Sequence, residues 1–351
     1  MLMMRFCAVT AKENDNARLR EVLSAPVSFY QAKAAREAGA AEIYAYTETA
    51  PKDGMLLRFL TPSPCLGAQT IESLVSAAEQ HGSAGLLSGD TVLATLGPAN
   101  EAGFKTAVEA APEEGICVTD ALSLLKAQEY IKQGINQSLL ESGVILLAPE
   151  STLISPECTI GQGTVILPGC QLFGKTAIGE NCTIGPNSLL KDVTLGENVS
   201  VNASQIYEST VGDGTTVGPF AYIRPGCQIG ANVKVGDFVE LKKSVVGRGT
   251  KISHHTYIGD GEFGENINVG CGVITVNYDG KNKHKTTIKD GAFIGCNVNL
   301  IAPVCIGEGA YVAAGTTVTG DVEPYALAVG RARQANKPGW AQKRRDDGKL
   351  K

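Results

Sequence analysis

From Ile154 onward, aliphatic side chains recur at about every sixth position of the chain. Glycine often follows the aliphatic residue, and we expect it to permit corner geometry that a Cβ would resist. A second small residue often stands four positions after the aliphatic one. A six-residue period is typical of a parallel β-helix, in which three units close one coil and the aliphatic side chains form an axial column. The pattern predicts such a helix from Ile154 to Val318, interrupted between Val269 and Ile288.

The cysteines follow the same period rather than a ligand spacing. Cys158, Cys170 and Cys182 fall on the second small position of alternate hexapeptides, and the ten cysteines include no Cys-x-x-Cys pair. This spacing indicates a packing register rather than a metal site or a disulfide framework. We expect free, buried thiols in a reducing compartment.

The first 145 or so residues alternate short apolar runs with helical patterns. Such alternation predicts a small α/β domain with a parallel sheet. The predicted strands cover residues 5–9, 42–46, 85–87 and 115–118, and the predicted helices cover 27–38, 70–80, 99–110 and 121–142.

Two features of this part bear on nucleotide binding. Asp90 follows a predicted strand and is a candidate contact to a metal or a sugar nucleotide. The alternative is that it caps the next secondary-structure element and has no role in binding. After the first strand stands Val9-Thr10-Ala11-Lys12-Glu13-Asn14, which contains no glycine. A phosphate cradle of backbone N–H groups is therefore not visible in the sequence.

Composition separates the two parts and excludes several protein classes. Of 41 glycines, 11 precede Ile154 and 30 follow from there. A hydrophobic content of 43% supports a buried core and excludes general disorder, and the glycines lack the collagen period. The formal charge of −5 argues against nucleic acid as a partner. No secretory stretch or long apolar run occurs, so we expect a cytoplasmic protein without a membrane partner.

Several motifs in the C-terminal part carry a family resemblance. They are Arg224-Pro225-Gly226, residues 235–243, 251–260, 267–270 and 277–280, Leu300-Ile301-Ala302-Pro303-Val304, and Gly330-Arg331-Ala332-Arg333-Gln334. Together they resemble the acetyltransferase domain of the bifunctional bacterial enzyme that makes UDP-N-acetylglucosamine. The resemblance runs from about residue 140 to Trp340.

The resemblance implies a left-handed parallel β-helix and a homotrimer. It also implies transfer of acetyl from acetyl-CoA to the amine of glucosamine 1-phosphate, a step toward a cell-wall precursor, with no Mg²⁺ expected at that site. His254 matches the family's general base, and an imidazole is suited to accept a proton at neutral pH. His255 follows where the family usually has an aliphatic residue. We do not expect it to be the base, because strand neighbours face opposite sides.

The resemblance implies further site residues. Arg224 and Lys242 match ligands of the sugar phosphate, and Tyr257 and Asn268 match sugar contacts. The residues that match contacts to the acetyl group or the coenzyme are Cys271, Asn277, Tyr278, Cys296, Ala314 and Arg331. Cys271 stands where the family has Ala, and Cys296 where it usually has Ser. The second change replaces a hydroxyl with a weaker donor, so we expect it to affect coenzyme affinity.

The N-terminal part matches the family less well. The family's uridylyltransferase domain opens with a Leu-x-x-Gly-x-Gly-Thr-Arg-Met loop and spans more than 200 residues, whereas neither feature is present here. We expect a degenerate, Rossmann-like nucleotidyltransferase domain at 1–120, without transfer to UTP. A linker helix at 121–145, the β-helix at 146–325 and a tail at 326–351 complete the expected organisation.

Other functions stay open from the sequence alone. The chain could be a non-catalytic binding or regulatory relative, or an acyltransferase that acts on a related amino sugar. A zinc-dependent hydratase on the same β-helix needs three converging histidines. This part offers His254, His255 and His284, and the first two are adjacent, which disfavours a shared metal.

Overall fold

The chain forms two compact units, Met1–Gly214 and Thr215–Lys351, in a computed structural model that describes residues 6–12, 21–23, 25–46 and 48–351. The first unit contains an α/β region and the first coils of hexapeptide repeats. The second contains the later coils and a C-terminal tail. Within the described ranges, none of the helices combines the length and apolarity that crossing a bilayer requires.

In its described residues, the α/β region has one six-stranded sheet, a two-stranded ribbon and three α-helices. In chain order its elements are β1 (Phe6–Val9), β2 (Glu21–Val22), β3 (Ala25–Pro26), α1 (Val27–Glu37), β4 (Glu42–Tyr44), β5 (Met55–Phe59), α2 (Ala68–His81), β6 (Ala84–Ser88), β7 (Thr91–Pro98), β8 (Thr106–Glu109) and α3 (Ala121–Glu141). The sheet order is β4-β1-β5-β7-β6-β8. A cluster of buried residues that includes Leu57, Ile71, Leu74 and Leu96 forms its core.

The α/β class is confirmed, but the sheet is mixed rather than parallel. β7 runs antiparallel to both β5 and β6, because β6 and β7 form a hairpin. Asp90 lies in the turn of that hairpin, where it is exposed. Asp90 was a candidate contact because a strand-to-helix crossover was expected after its strand. A hairpin turn stands there instead, so that reason does not apply.

Other local predictions in this region were wrong. The helix expected at 99–110 is a loop followed by β8, the strand expected at 115–118 is irregular, and β5 and β7 were not predicted. Alanines favour a helix near residue 100, but Gly103 adopts a left-handed φ of 89° and Thr106–Glu109 pairs with β6. Tertiary pairing therefore overrode local propensity. Arg5, included in the first predicted strand, lies outside the described residues, as do Glu13 and Asn14.

Helix α3 leads into the first coils. Asp120 caps it by accepting a 2.8 Å hydrogen bond from the Ser123 N–H, which lowers the pKa of that carboxyl. Near the other end, the buried Asn136 donates from Nδ2 to the Pro149 carbonyl over 3.1 Å. This contact attaches the helix to the start of the repeats.

The coils of the first unit consist of short parallel strands and one 3₁₀ turn, Pro149–Ser151. The strands are β9 (Ile145–Leu146), β10 (Leu153–Ile154), β11 (Thr159–Ile160), β12 (Val165–Ile166), β13 (Gln171–Phe173), β14 (Ala177–Ile178), β15 (Thr183–Ile184), β16 (Leu189–Lys191), β17 (Thr194–Leu195), β18 (Ser200–Val201), β19 (Gln205–Tyr207) and β20 (Thr210–Val211). Three parallel ladders result: β9-β12-β15-β18, β10-β13-β16-β19 and β11-β14-β17-β20.

The second unit repeats this arrangement and ends in a short helix. Its elements are β21 (Thr216–Val217), β22 (Tyr222–Ile223), β23 (Gln228–Ile229), β24 (Lys234–Asp237), β25 (Glu240–Lys242), β26 (Val245–Val246), β27 (Lys251–His254), β28 (Tyr257–Gly259), β29 (Gly261–Phe263), β30 (Asn268–Val269), β31 (Ile274–Val276), β32 (Thr286–Ile288), β33 (Phe293–Ile294), β34 (Asn299–Ile301), β35 (Val304–Ile306), β36 (Tyr311–Val312), β37 (Thr317–Val318), β38 (Leu327–Ala328) and α4 (Trp340–Asp346). The ladders are β21-β24-β27-β30-β33-β36-β38, β22-β25-β28-β31-β34-β37 and β23-β26-β29-β32-β35.

The predicted left-handed parallel β-helix of hexapeptide repeats is confirmed. The periodic aliphatic residues are buried, apart from the half-buried Ile160, and they pair with the corresponding residues one coil away, as Ile252 does with Val269. Cys158, Cys170 and Cys182 donate their thiols to carbonyls of the next coil. Burial raises the pKa of Cys158 to about 11. The ten cysteines are free, but contrary to the expectation only Cys65, Cys170, Cys182 and Cys227 are fully buried, five are half-buried, and Cys296 is exposed.

At most positions, the glycine after the aliphatic residue has a different role from the one expected, whereas Gly185 and Gly218 adopt left-handed φ values of 109° and 100°. A Cβ on Gly179 would lie 2.5 Å from the Gly196 carbonyl oxygen, and one on Gly270 would lie 2.7 Å from the Cys296 nitrogen. Neither glycine adopts a left-handed φ, whereas Asn266, at a corner, does so with φ 54°. Close stacking of coils therefore excludes the Cβ, and the strained corner position comes later in the repeat.

Candidate active site

His254 and Asp237 form a hydrogen-bonded pair at one corner of the second unit. Asp237 ends β24 and His254 ends β27, and the two residues are in register on these parallel strands. Nδ1 of His254 is bonded to Oδ1 of Asp237. This contact with His254 lowers the pKa of Asp237. The His254 side chain is 53% exposed, and this contact leaves its other ring nitrogen, Nε2, outside the pair.

His255 takes a separate position. Its φ is 46°, and its ring stacks on Phe238 with centroids 4.9 Å apart. Phe238 in turn stacks on Phe220 at 5.4 Å. The three rings form a column beside the His254–Asp237 pair, in which His255 has a packing role.

Three cations, Arg224, Lys242 and Lys283, lie around the next corner of the same coils. The guanidinium of Arg224 donates to Glu240 Oε1 over 2.9 Å and lies 5.9 Å from the centre of the Tyr222 ring. Contact with the Lys283 ammonium, together with Arg224, lowers the pKa of Lys242, while Asp260 acts in the opposite direction. Mutual repulsion of this kind favours binding of an anion between the cations.

Tyr257, Gly259 and Asn277 form a compact set close to these cations. A Cβ on Gly259 would lie 2.5 Å from the Tyr257 hydroxyl and 2.6 Å from Nδ2 of Asn277. The buried Asn277 donates from Nδ2 to Asp260 Oδ2 over 2.6 Å. The glycine therefore leaves room for two polar groups that a larger residue would displace.

The interruption predicted after Val269 is a folded loop that begins at Asn277. Oδ1 of Asp279 accepts the backbone N–H groups of Asn282 and Lys281 at 2.6 and 2.8 Å, and Oδ2 is bonded to Nε2 of His284 at 2.7 Å. These contacts, the backbone bond from Asn282 first, lower the pKa of Asp279. Tyr278 is exposed and donates to the Gly280 carbonyl over 2.7 Å.

Cys271, Cys296 and Ala314 lie at equivalent positions of successive coils. The Asn297 N–H donates to the Cys271 carbonyl, and the Gly315 N–H donates to the Cys296 carbonyl, both over 2.8 Å. His254 is one coil away on the other side of Cys271, since its carbonyl accepts the Gly272 N–H over 3.2 Å. Arg331 is exposed, and its Cδ lies 3.7 Å from where a Cβ on Gly315 would be. The candidate coenzyme residues thus continue the corner that carries His254.

The structure therefore groups the candidates on two corners that flank one face. His254 immediately precedes the strand with Tyr257, and Lys242 ends the strand before it on the same ladder. Asn268 is apart from Tyr257, because it lies on β30, in the ladder on the other side of the His254 corner. One chain thus places the two predicted sugar contacts on different faces.

Four residues of this site, Asp237, Glu240, Asp260 and Lys283, had no individual role predicted from the sequence. The three carboxylates contact residues one coil away, so coil-length spacing was the signal that could have found them. Lys283 was in the predicted polar insertion. Among the residues that the structure describes, no group of three or more His, Cys, Asp and Glu side chains could hold a metal ion.

Comparison with known proteins places this site in context. The family model "Bacterial transferase hexapeptide (six repeats)" matches residues 157–192, 208–243 and 285–320. The chain is 52% identical over 231 residues to the bifunctional protein GlmU of Geobacillus sp. strain WCH70, which covers 66% of this chain and 50% of the relative. With GlmU of Caldanaerobacter subterraneus it is 52% identical over 251 residues, 72% of this chain and 55% of the relative.

A solved structure also matches, the UDP-N-acetylglucosamine acyltransferase from Campylobacter jejuni. It has a TM-score of 0.38 and 19% identity, and it covers 51% of this chain and 70% of that one. The chain spans about half the length of the curated relatives it matches. The C-terminal two thirds of this chain, which carry the hexapeptide repeats and the candidate site, are thus homologous to about half of the bifunctional GlmU proteins.

Proposed function

We propose that this chain is an N-acetyltransferase that moves the acetyl group of acetyl-CoA to the amine of glucosamine 1-phosphate. The observation that carries the proposal is the placement of an exposed, carboxylate-bonded imidazole, His254, one face away from the Arg224–Lys242–Lys283 cations. An amine acceptor needs a base, and a sugar phosphate needs local cations. The homology to GlmU supports the same reading.

His254 acts as the general base in this reaction. The bound acceptor loses an ammonium proton to the free imidazole nitrogen, and the amine then attacks the thioester carbonyl carbon. A C–N bond forms, the C–S bond breaks, and the coenzyme thiolate leaves. The nitrogen loses a second proton as the amide forms. Of the two protons, one reaches the thiolate through the imidazolium and the other is released to water, so His254 ends neutral. The products are N-acetylglucosamine 1-phosphate and coenzyme A.

The phosphate binds between Lys242, Lys283 and Arg224. A dianion there relieves the repulsion that lowers the pKa of Lys242. Glu240 holds the Arg224 guanidinium in place through the 2.9 Å contact. Tyr257 and Asn268 contact the sugar. Since they lie on different faces of one chain, we propose that a second copy supplies one of them, in a homotrimer with sites between copies.

The coenzyme lies along the corner of Cys271, Cys296 and Ala314, with Asn277 and Tyr278 beside the acetyl group and Arg331 near its phosphates. Backbone groups make the contacts at Cys271. The Cys296 thiol is a weaker donor than the hydroxyl expected there. The N-terminal α/β region is catalytically silent toward UTP, because residues 9–14 offer no glycine-rich loop.

The test is release of coenzyme A thiol from acetyl-CoA by the full chain, with glucosamine 1-phosphate as acceptor. We expect turnover, and a loss of about 10²- to 10⁴-fold in His254→Ala. The matched control is His255→Leu, which alters the stacked ring next to it and keeps most activity. Full turnover by His254→Ala would remove it as the base.

Absence of turnover together with calorimetric binding of both ligands would support the non-catalytic relative instead. Turnover with another amino sugar in preference to glucosamine 1-phosphate would redirect the substrate. Magnesium-dependent binding of UTP to the chain would overturn the silent N-terminal region.

A further inference from the structure

We propose that Asp237 is the positioning residue of His254, holding the imidazole so that Nε2 is the atom that accepts the proton. This inference rests on the proposed function and adds to it the choice of nitrogen and of the carboxylate that orients it. Asp237 touches neither substrate nor coenzyme in this scheme. It acts only through His254.

The backbone register brings Asp237 next to His254. Asp237 and His254 are paired residues at the ends of neighbouring parallel strands, β24 and β27. The two strands share further pairs, Lys234 with Lys251 and Val235 with Ile252, and both valine and isoleucine are fully buried. The coil core therefore fixes the spacing of the two side chains at the corner. Neighbouring strands lie about 4.8 Å apart, which suits a direct carboxylate–imidazole contact.

The contact with Asp237 involves one particular ring nitrogen of His254. The bond to Asp237 uses Nδ1 of His254, which leaves Nε2 without that partner. A carboxylate accepts but does not donate, so the neutral ring must carry its proton on Nδ1. The lone pair of Nε2 is then available to the acceptor amine. The lowered pKa of Asp237 agrees with a carboxyl group that stays ionised in this contact.

The neighbouring carboxylates, Glu240 and Asp260, have other partners. Glu240 accepts from Arg224 at 2.9 Å and lies on the next ladder, in register with Tyr257. Asp260 accepts from Asn277 at 2.6 Å. Cys271, one coil away on the opposite side of His254, offers a thiol rather than a carboxylate. Asp237 is thus the carboxylate that the described structure assigns to the imidazole.

The consequence for the reaction follows from the tautomer. Without an acceptor at Nδ1, the ring can carry its proton on Nε2. In that tautomer Nε2 has no free lone pair, so it cannot accept the proton of the substrate. An aspartate also stabilises the imidazolium that forms when the proton is taken. Both effects act on the chemical step and leave binding of the two substrates largely unchanged.

The kinetic test compares Asp237→Asn, Asp237→Glu and Glu240→Gln in the full chain. For Asp237→Asn we expect kcat to fall by about 10- to 100-fold with both KM values within about twofold. Asp237→Glu should restore part of kcat, since it keeps the carboxylate. Glu240→Gln should instead raise KM for glucosamine 1-phosphate, because it weakens the charged contact that positions Arg224. Equal kcat in Asp237→Asn and wild type, or a kcat loss confined to Glu240→Gln, would overturn the assignment.

A second measurement does not depend on turnover. With histidine labelled at both ring nitrogens, ¹⁵N NMR reports which nitrogen carries the proton, and His254→Ala identifies the resonance. We expect His254 to be protonated at Nδ1 in wild type and to become a mixture in Asp237→Asn. A protonated Nε2 in wild type contradicts the proposal. If wild type shows the Nδ1 form but no turnover, the proposed function fails while the positioning by Asp237 stands.

Discussion

Asn277 donates a 2.6 Å hydrogen bond to Asp260, and this contact joins the start of the projecting loop to the neighbouring coil. Asn277 is only 6% exposed, so its amide is held away from water. Bonds to a charged acceptor are worth more than neutral ones, about 1.5–3 kcal/mol. The position of Tyr278 and of the rest of the loop therefore depends on this bond.

Removing the bond should reduce acetyl transfer. We expect Asn277→Ala and Asp260→Ala each to lower kcat/KM by about 10- to 100-fold. If the two residues act through each other, the double variant should be little worse than either single one. Additive losses in this double-mutant cycle would show that the pair is not coupled.

Gly259→Ala should displace the two polar groups beside it. The added Cβ would lie 2.5 Å from the Tyr257 hydroxyl and 2.6 Å from Nδ2 of Asn277. We expect kcat/KM to fall at least tenfold, by about 1.4 kcal/mol or more of transition-state stabilisation, with the protein still folded. The matched control is Gly320→Ala, where nothing lies within 4 Å of the added Cβ. Steady-state kinetics with a thermal melt distinguishes loss of activity from loss of fold.

Lys283→Met should weaken binding of the sugar phosphate. The ammonium of Lys283 lowers the pKa of Lys242, as expected of neighbouring cations, and we propose that they share one anion. We expect KM for glucosamine 1-phosphate to rise about tenfold, with KM for acetyl-CoA unchanged. Lys175→Met, an exposed lysine in the first unit, should leave both KM values as they are. An unchanged KM in Lys283→Met would remove it from the phosphate site.

The loop from Asn277 should lose protection in acid. The pKa of Asp279 is lowered by its contacts with Asn282, His284 and Lys281. The ionised carboxylate therefore stabilises the folded loop at pH values above its unfolded pKa, near 3.8. This stabilisation is lost as the pH falls below the unfolded pKa and through the lower pKa of the folded state. Hydrogen exchange at Lys281 and Asn282, corrected for intrinsic rates, should accelerate below about pH 4. Asp279→Ala should show fast exchange at these two amides at all pH values. The matched control is Asp321→Ala, which removes the acceptor of the Cys305 N–H and should leave exchange at Lys281 and Asn282 unchanged.

The inward and outward isoleucines of one ladder should differ in stability effect. Ile258 is 0% exposed and Ile274 is 42% exposed, although both lie on neighbouring strands of one ladder, β28 and β31. We expect Ile258→Ala to cost about 2–5 kcal/mol of unfolding free energy. Ile274→Ala should stay within about 0.5 kcal/mol. Chemical denaturation measures both, and equal costs would contradict the assigned core column.

The six-residue period determined the β-helix from sequence alone, because each coil repeats the same local rule and contacts only its neighbours. His254 was found through its flanking residues, and the interruption before Ile288 marked the loop. In the α/β region the same approach missed β5 and β7 and predicted a helix at 99–110, since strand pairing there joins segments far apart in the chain. Local propensity carries little information about such pairing.

Only the tertiary structure decided which side chains meet across coils. Asp237 with His254, Glu240 with Arg224, and Asp260 with Asn277 each join residues one coil apart, and a one-residue change of register would separate them. Lys283 reaches Lys242 because its loop folds back toward that coil. Composition and period do not determine these distances. The coil geometry determines them, by stacking chemically different residues at the same corner.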